Sequence, residues 1–218
     1  IPPSNYWPLV EEICRSRDVL IISDEVICGF GRTGQWWGCQ TFGFEPDLIT
    51  FAKAVTNGYQ PLGGVAINGK IAEVITQDGG EFAHGFTYSG HPVACAAGLA
   101  TLEIYQETDL LDTVTNTTAP HWAAAIARLS DHEIVGEVRS QGMLGAIELV
   151  RKKGTKDRIA PDSAAAVFCR NSAIQNGFMV RQVGDGLILS PPLIITESEI
   201  DQLIAGVHAA LDATAAAF

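Results

Sequence analysis

The sequence predicts an α/β layer in its first half and an α+β unit in its second. Short, nearly unbroken apolar runs at residues 19–22, 48–51 and 65–67 alternate with segments of helical periodicity. That is the pattern of a mainly parallel sheet covered by helices. Past Ser130 the order changes to strand pairs, one helix, and strands again. The third observation is bulk: 218 residues with 47% apolar content can bury a sizeable core. The change in pattern puts a domain boundary near Leu110, dividing the chain into residues 1–110 and 111–218.

Each element follows from local signals. Ser4 or Asn5 can cap a helix over residues 6–17, with Leu9, Val10, Ile13 and Cys14 on one face. Asp18 leads into a buried strand ending at Ser23. A second strand, 48–51, stops just before Lys53; a third covers 65–67, and a short helix follows over 71–77. Gly79-Gly80 opens a long loop, and Ser89-Gly90-His91-Pro92 starts the strongest helix, with Pro92 at its first position. A helical stretch over 110–129 should kink or break at Pro120. Residues 134–138 and 143–149 read as antiparallel strands, 163–176 as a helix closed by Gly177, and 178–181 and 187–190 as strands. Thr196-x-x-Glu199 forms a capping box for the last helix. There are no repeats and no low-complexity linker; Gly154-Thr155-Lys156 is a polar loop.

Composition removes several function classes. A net charge of -11 without a clustered basic stretch argues against nucleic acid. Every apolar run is broken by Gly, Asp or Pro before it reaches the length of a membrane span. The five cysteines lack C-x-x-C spacing, which suits reduced thiols in a cytoplasm and neither a disulfide framework nor zinc. His91-x-x-x-Cys95 has helical spacing but no third ligand nearby, so no metal is expected. Ile1-Pro2-Pro3-Ser4 has neither an initiator Met nor signal-peptide character, and the front of a longer polypeptide is expected to be missing.

Residues 20–34, LIISDEVICGFGRTG, spell a G-x-G-x-x-G in Gly29, Gly31 and Gly34. A dinucleotide loop needs a helix after the last glycine and an acid at the end of the next strand. Here Gln35-Trp36-Trp37-Gly38 follows, and Asp47 precedes its strand. The glycines instead give an irregular loop its backbone freedom. Asp24 and Glu25 leave the carboxyl end of a strand, where ligands sit in open α/β sheets, although acids there also cap or bridge. Lys53 has the same placement, as a snorkelling surface residue or as an amine able to form Schiff bases. Together they describe a cofactor site: an amine for a carbonyl and an acid for a cationic pyridine nitrogen. Trp36-Trp37 could line a substrate channel or simply pack, and Arg32 reads as a structural ion-pair partner.

Three ordered runs then carry a resemblance. DEVICGFGRTG (24–34), DLITFAKAVTNGYQPLGG (47–64) and HGFTYSGHPVACAAGLATL (84–102) resemble class III, pyridoxal-phosphate-dependent aminotransferases, and VRQVGDGLILSPPLIIT (180–196) is similar too. The Ile-Cys after Asp-Glu-Val and the Ser-Gly-His-Pro resemble the ω-amino acid or amine:pyruvate branch. The resemblance implies part of the fold type I large domain plus a C-terminal small domain. It implies pyridoxal 5′-phosphate as cofactor, with Asp24 paired to the pyridinium nitrogen and Val26, taken as lying on the same side of an extended chain, against the ring. Lys53 would hold the cofactor as a Schiff base and shuttle the substrate proton. Thr87, just before the expected Ser89 cap, would serve the phosphate of a neighbouring subunit, or else act as a capping hydroxyl. Arg181 matches the family's mobile arginine for substrate carboxylates, though a surface arginine at a strand end has the same local setting.

The implied activity moves an amino group from an amine or ω-amino acid to pyruvate or a similar keto acid, in a homodimer with active sites at the interface. The N-terminal half of that family supplies a phosphate-binding Gly-Ser turn, a ring-stacking aromatic and further strands. This chain begins just after that half ends, so a complementary N-terminal chain or segment is expected, along with exposed apolar sheet faces without it. The competing readings are an aminomutase or decarboxylase of the same family, a non-catalytic fragment that only binds a partner, and a nicotinamide oxidoreductase.

Overall fold

The computed structural model describes residues 1–218 with the exception of Asp78. The chain divides into two compact units, Pro2–Leu111 and Asp112–Phe218 with Ile1.

The first unit contains α1 (Tyr6–Ser16), β1 (Ile22–Asp24), α2 (Gly38–Phe42), β2 (Leu48–Phe51), β3 (Gly64–Ile67), α3 (Gly69–Glu73) and α4 (Pro92–Glu107). Its sheet has the order β1-β2-β3. β1 pairs parallel with β2, placing Ile22 opposite Leu48 and Asp24 opposite Thr50. β3 runs antiparallel to β2. Residues 52–63 carry only one helical turn, Lys53–Val55, which reverses the chain without the helical crossover that a parallel return needs.

Four local expectations are corrected. β1 is not buried on both faces: Ile21 and Ser23 are buried while Val19, Leu20 and Ile22 are exposed, because an edge strand here has a packed layer on one side only. α1 does not bury the expected face, since Leu9 and Ile13 are exposed. Its orientation follows the Trp7 ring, stacked on Phe44 at 3.9 Å, and Trp7 and Cys14 pack on Ile21, Cys39 and Phe44. Asn5 is the N-cap of α1, but its side chain makes no capping bond. Finally, the N-cap of α4 is His91, not Ser89. Pro92 has no N–H to satisfy, and the Ser89 hydroxyl turns back to accept the Phe86 N–H at 2.9 Å.

One buried carboxylate joins most of these pieces. Asp47 Oδ2 accepts from the Arg15 guanidinium at 2.6 Å and from the Ile21 N–H at 2.8 Å, and Oδ1 accepts from the Asn68 amide at 2.9 Å. The Asp47 N–H donates to Ile21 O at 2.8 Å, and the Asn68 N–H donates to Asp47 O at 3.0 Å. Asn68 also caps α3 by accepting the Ile71 N–H at 3.0 Å. Asp47 therefore fixes α1, the entry to β1, the start of β2 and the exit of β3.

The second unit begins within α5 (Leu110–Thr113) and continues through a wide π turn, Val114–Thr118, into α6 (Ala119–Ala127). Pro120 lies in the first turn of α6, where its missing donor costs nothing, and the wide turn ahead of it takes up the change of register. β4 (Val135–Gln141), β5 (Leu144–Leu149), α7 (Ala164–Gln175), β6 (Arg181–Val183), β7 (Gly186–Leu189) and α8 (Glu197–Ala217) follow. The sheet order β4-β5-β7-β6 is antiparallel throughout. β6 begins at Arg181, later than the apolar residues Phe178, Met179 and Val180 suggest, because only residues 181–183 pair with β7. Trp122, Ile126, Met143, Ile147, Leu187, Ile200 and Leu211 are fully buried. Gly145 lets the helices approach the sheet: a Cβ there would lie 2.7 Å from the Trp122 ring. The capping box forms as its spacing predicts, with Thr196 Oγ1 accepting the Glu199 N–H at 3.3 Å and Glu199 Oε2 accepting the Thr196 N–H at 2.8 Å. Among the described residues no helix is long and apolar enough to cross a membrane.

Replacing Asp47 by Ala leaves the Ile21 N–H and the Arg15 and Asn68 donors without their acceptor, and should destabilise the first unit by about 3 kcal/mol in denaturant unfolding. The Ile21 N–H, followed by Arg15, holds the Asp47 carboxyl below its ordinary value of 3.8. Its contribution is therefore complete above that pH and lost as pH falls through the depressed folded value. The Asp47→Ala protein should lack that part of the acid transition; equal acid sensitivity of the two proteins would contradict it.

Candidate active site

β1 and β2 are parallel neighbours, so their carboxyl ends open on the same edge of the sheet. Alternation along β1 buries Ser23 and sends Asp24 outward, and Glu25 turns inward again. The two acids therefore part company. Glu25 is 2% exposed and accepts three hydrogen bonds, from the Ser23 hydroxyl at 3.0 Å and from the Gly38 and Cys39 N–H groups at 2.7 Å each. It satisfies the first amides of α2, whose N-cap, Trp37, has no side-chain oxygen to do so. Of the two roles open to this pair of acids, Glu25 takes the capping one.

Asp24 is exposed at the end of β1. Its Oδ1 accepts from the Val26 N–H at 3.1 Å and from the Thr50 hydroxyl at 3.3 Å. The chain leaves the extended conformation immediately afterwards, with the Gly29 N–H donating to Glu25 O at 2.9 Å. Val26 thus lies half-buried in a turn, and its placement beside Asp24 comes from that turn and not from strand alternation.

Lys53 follows β2 after Ala52, three residues beyond Thr50, the partner of Asp24. Its side chain is exposed and its backbone is left-handed, with φ of 48°. A long side chain in that region stores strain of order 1 kcal/mol, a common feature of residues that a site holds in place. Its surroundings enforce it: the Val55 N–H donates to Ala52 O at 3.3 Å, the Thr56 N–H to Lys53 O at 3.2 Å, and the buried Thr56 hydroxyl to Gln60 O at 2.6 Å. A carboxylate at the end of β1 and an amine two residues past the end of β2 so stand at the carboxyl ends of adjacent strands.

The glycine run between them forms turns and no phosphate-binding helix, since α2 starts only at Gly38 and spans five residues. Gly31 and Gly34 have φ of 86° and 95°. Gly29 is needed for space, because a Cβ there would lie 2.9 Å from Glu25 O and 3.0 Å from the Trp37 ring. Trp36 stacks on Tyr105 at 5.4 Å and Trp37 meets the Phe30 edge at 5.1 Å, so both act as packing residues. Arg32 is half-buried beside Tyr105, and burial lowers its pKa. Burial and then the Glu25 charge push the Cys39 thiol up to about 11, and the Cys28 thiol upward too, which disfavours the thiolate form of both.

The structure does not bring every candidate to this edge. Thr87 sits in an exposed loop ahead of His91, with Phe82, Phe86 and Tyr88 also exposed. Arg181 belongs to the second unit, where it opens β6 opposite Ile188 and lines a cavity of about 950 Å³ with Arg170, Met179 and Ile194. Among the described residues no three His, Cys, Asp or Glu side chains come together as a metal site. Sequence reasoning missed Thr50 and Asp47. The first is one hydroxyl in an apolar strand, a detectable signal; the second acts through partners 21 to 32 positions away.

The family model described as aminotransferase class-III matches residues 1–211. A putrescine–pyruvate aminotransferase of Pseudomonas aeruginosa is 49% identical over 217 residues, 100% of this chain and 47% of that protein. A chloroplastic gamma aminobutyrate transaminase 3 of Solanum lycopersicum is 40% identical, over 93% of this chain and 39% of its own length. Two solved structures share the fold. An (S)-enantioselective omega-transaminase from Thermomicrobium roseum has a TM-score of 0.91 at 41% identity, over 98% of this chain and 48% of that one. The omega transaminase from Pseudomonas jessenii in complex with PMP has a TM-score of 0.93 at 37% identity, with the same coverage. The chain spans about half the length of the relatives it matches.

The left-handed backbone at Lys53 makes a testable claim independent of chemistry. Lys53→Gly should melt higher than Lys53→Ala, by about 1 kcal/mol, because only glycine adopts that conformation without strain. Equal melting temperatures of the two cofactor-free variants would show that the backbone there is relaxed.

Proposed function

This chain belongs to the class-III aminotransferase family, and on that premise we propose that it moves an amino group from an amine or ω-amino acid to pyruvate or a similar keto acid, with pyridoxal 5′-phosphate bound at Lys53. Class III aminotransferases depend on this cofactor. The observation that carries the reading is the placement of Asp24 and Lys53 at the carboxyl ends of adjacent parallel strands. The donor set fits the cofactor: an amine for its aldehyde, a carboxylate for its ring nitrogen, and an open sheet edge between them. When bound, the cofactor supplies an electron sink for the pair left behind as the substrate's α-proton departs.

The chain's own groups do the rest. Asp24 would hold the cofactor's ring nitrogen by accepting its N–H, which favours the protonated ring. Val26 packs against the ring. Lys53 would hold the cofactor through its aldehyde, and its Nζ, once free, would take up and return the substrate's α-proton. Thr87 would offer its hydroxyl to the cofactor phosphate of a second copy, in a homodimer with active sites at the interface. Arg181 binds a substrate carboxylate through its paired N–H groups. Residues 1–110 then act as part of the cofactor-binding domain and 111–218 as the small domain. A complementary N-terminal segment is a further partner. The exposed Val19, Leu20, Ile22, Phe82, Phe86 and Tyr88 support both associations, being more apolar surface than a free domain usually leaves open. The five free cysteines support a cytoplasmic setting.

In the cofactor-loaded protein, Lys53→Ala should lower amine-to-pyruvate transfer by about 10²–10⁴-fold, the usual loss for a proton-transfer group. Rates measured with a simple amine and with an ω-amino acid would also test Arg181, whose replacement by Ala should slow the carboxylate-bearing substrate far more than the amine. Equal losses on both would remove that role. Products of migration or decarboxylation, in place of an exchanged amine, would move the protein to another activity of the same family.

A further inference from the structure

We propose that Thr50 is a positioning residue for Asp24, an inference that rests on the functional reading above. Register places the two residues directly opposite one another at the end of the parallel pair. The Thr50 hydroxyl donates to Asp24 Oδ1 at 3.3 Å, and the Thr50 carbonyl accepts the Glu25 N–H at 2.9 Å. One residue of β2 thereby holds both the carboxylate of Asp24 and the backbone that follows it. The Val26 N–H adds a second bond to the same oxygen at 3.1 Å. With both donors on Oδ1, the carboxylate is gripped along one edge and presents Oδ2 to a ligand N–H. The strand Leu48–Phe51 needs no hydroxyl to form, since Leu48, Ile49 and Phe51 are all apolar. Thr50 also lies three residues ahead of Lys53, so the same strand orients the acid and delivers the amine.

The test compares the parent protein with Thr50→Val, which keeps the branched shape and deletes the hydroxyl, and with Thr50→Ser, which keeps the hydroxyl. Two readouts are taken. Proton couplings at the Asp24 β-carbon in the cofactor-free protein report whether its side chain holds one rotamer. Titration with pyridoxal 5′-phosphate, followed by absorbance, gives the dissociation constant. Thr50→Val should average the Asp24 rotamer and weaken binding about ten-fold, the loss of one hydrogen bond to a charged group. Thr50→Ser should restore both. If Thr50→Val melts early, Thr50→Ala supplies the same deletion. An unaveraged Asp24 in the deletion variant, or a serine variant as impaired as valine, overturns the proposal. Failure of the parent protein to bind pyridoxal 5′-phosphate even when assembled with the complementary segment would sink the functional reading instead, and the coupling measurement would still decide whether Thr50 holds Asp24.

Discussion

A slip of one residue between β1 and β2 would exchange the positions of Asp24 and Glu25, and the buried carboxylate of Asp47 prevents it. Asp47 grips the Ile21 N–H just ahead of β1 while its own backbone leads into β2. Strand register is poorly specified by hydrogen bonds alone, because every shifted ladder makes nearly as many. A side-chain bond at the entry of the pair removes that freedom. It leaves Asp24 facing out and Glu25 facing in, two acids that differ by one position and have opposite fates.

The burial of Glu25 is favourable only because its partners are complete. A carboxylate buried there without partners would be costly, whereas three donors, two of them the first amides of a helix, compensate this one. Its hold on Gly38 and Cys39 shapes the loop between them, including Phe30, which adopts φ of 57°. Phe30 is packed among Trp36, Trp37 and Phe51, and its carbonyl accepts the Tyr105 hydroxyl at 2.9 Å. Strain thus appears on both sides of the candidate site, at Phe30 and at Lys53. In each case packing and hydrogen bonds next to the strained residue sustain it.

Signals that act over a few residues were legible before any coordinates. The strand at Leu48–Phe51, the capping box at Thr196 and the closure of α7 by Gly177 depend on neighbours within four positions, and they appear as the spacing predicts. The family resemblance was legible because motifs around Asp24, Lys53 and Pro92 occur in order. Other features depended on distant partners. Glu25 meets amides 13 and 14 positions away, and nothing local separates it from Asp24. The same limit explains β1 and α1. An apolar run states that burial is wanted but not how many faces the rest of the chain covers, and a helical stripe can rotate to suit one large ring such as Trp7.

Lys53, and no other amine, is the residue proposed to bind the cofactor carbonyl. Borohydride reduction of the protein incubated with pyridoxal 5′-phosphate, followed by proteolysis and peptide mass spectrometry, tests this most directly. A pyridoxyl mass on the peptide containing Lys53, in the protein assembled with its complementary segment, is the expected result. A pyridoxyl group confined to another lysine, such as Lys70 or Lys152, would contradict it.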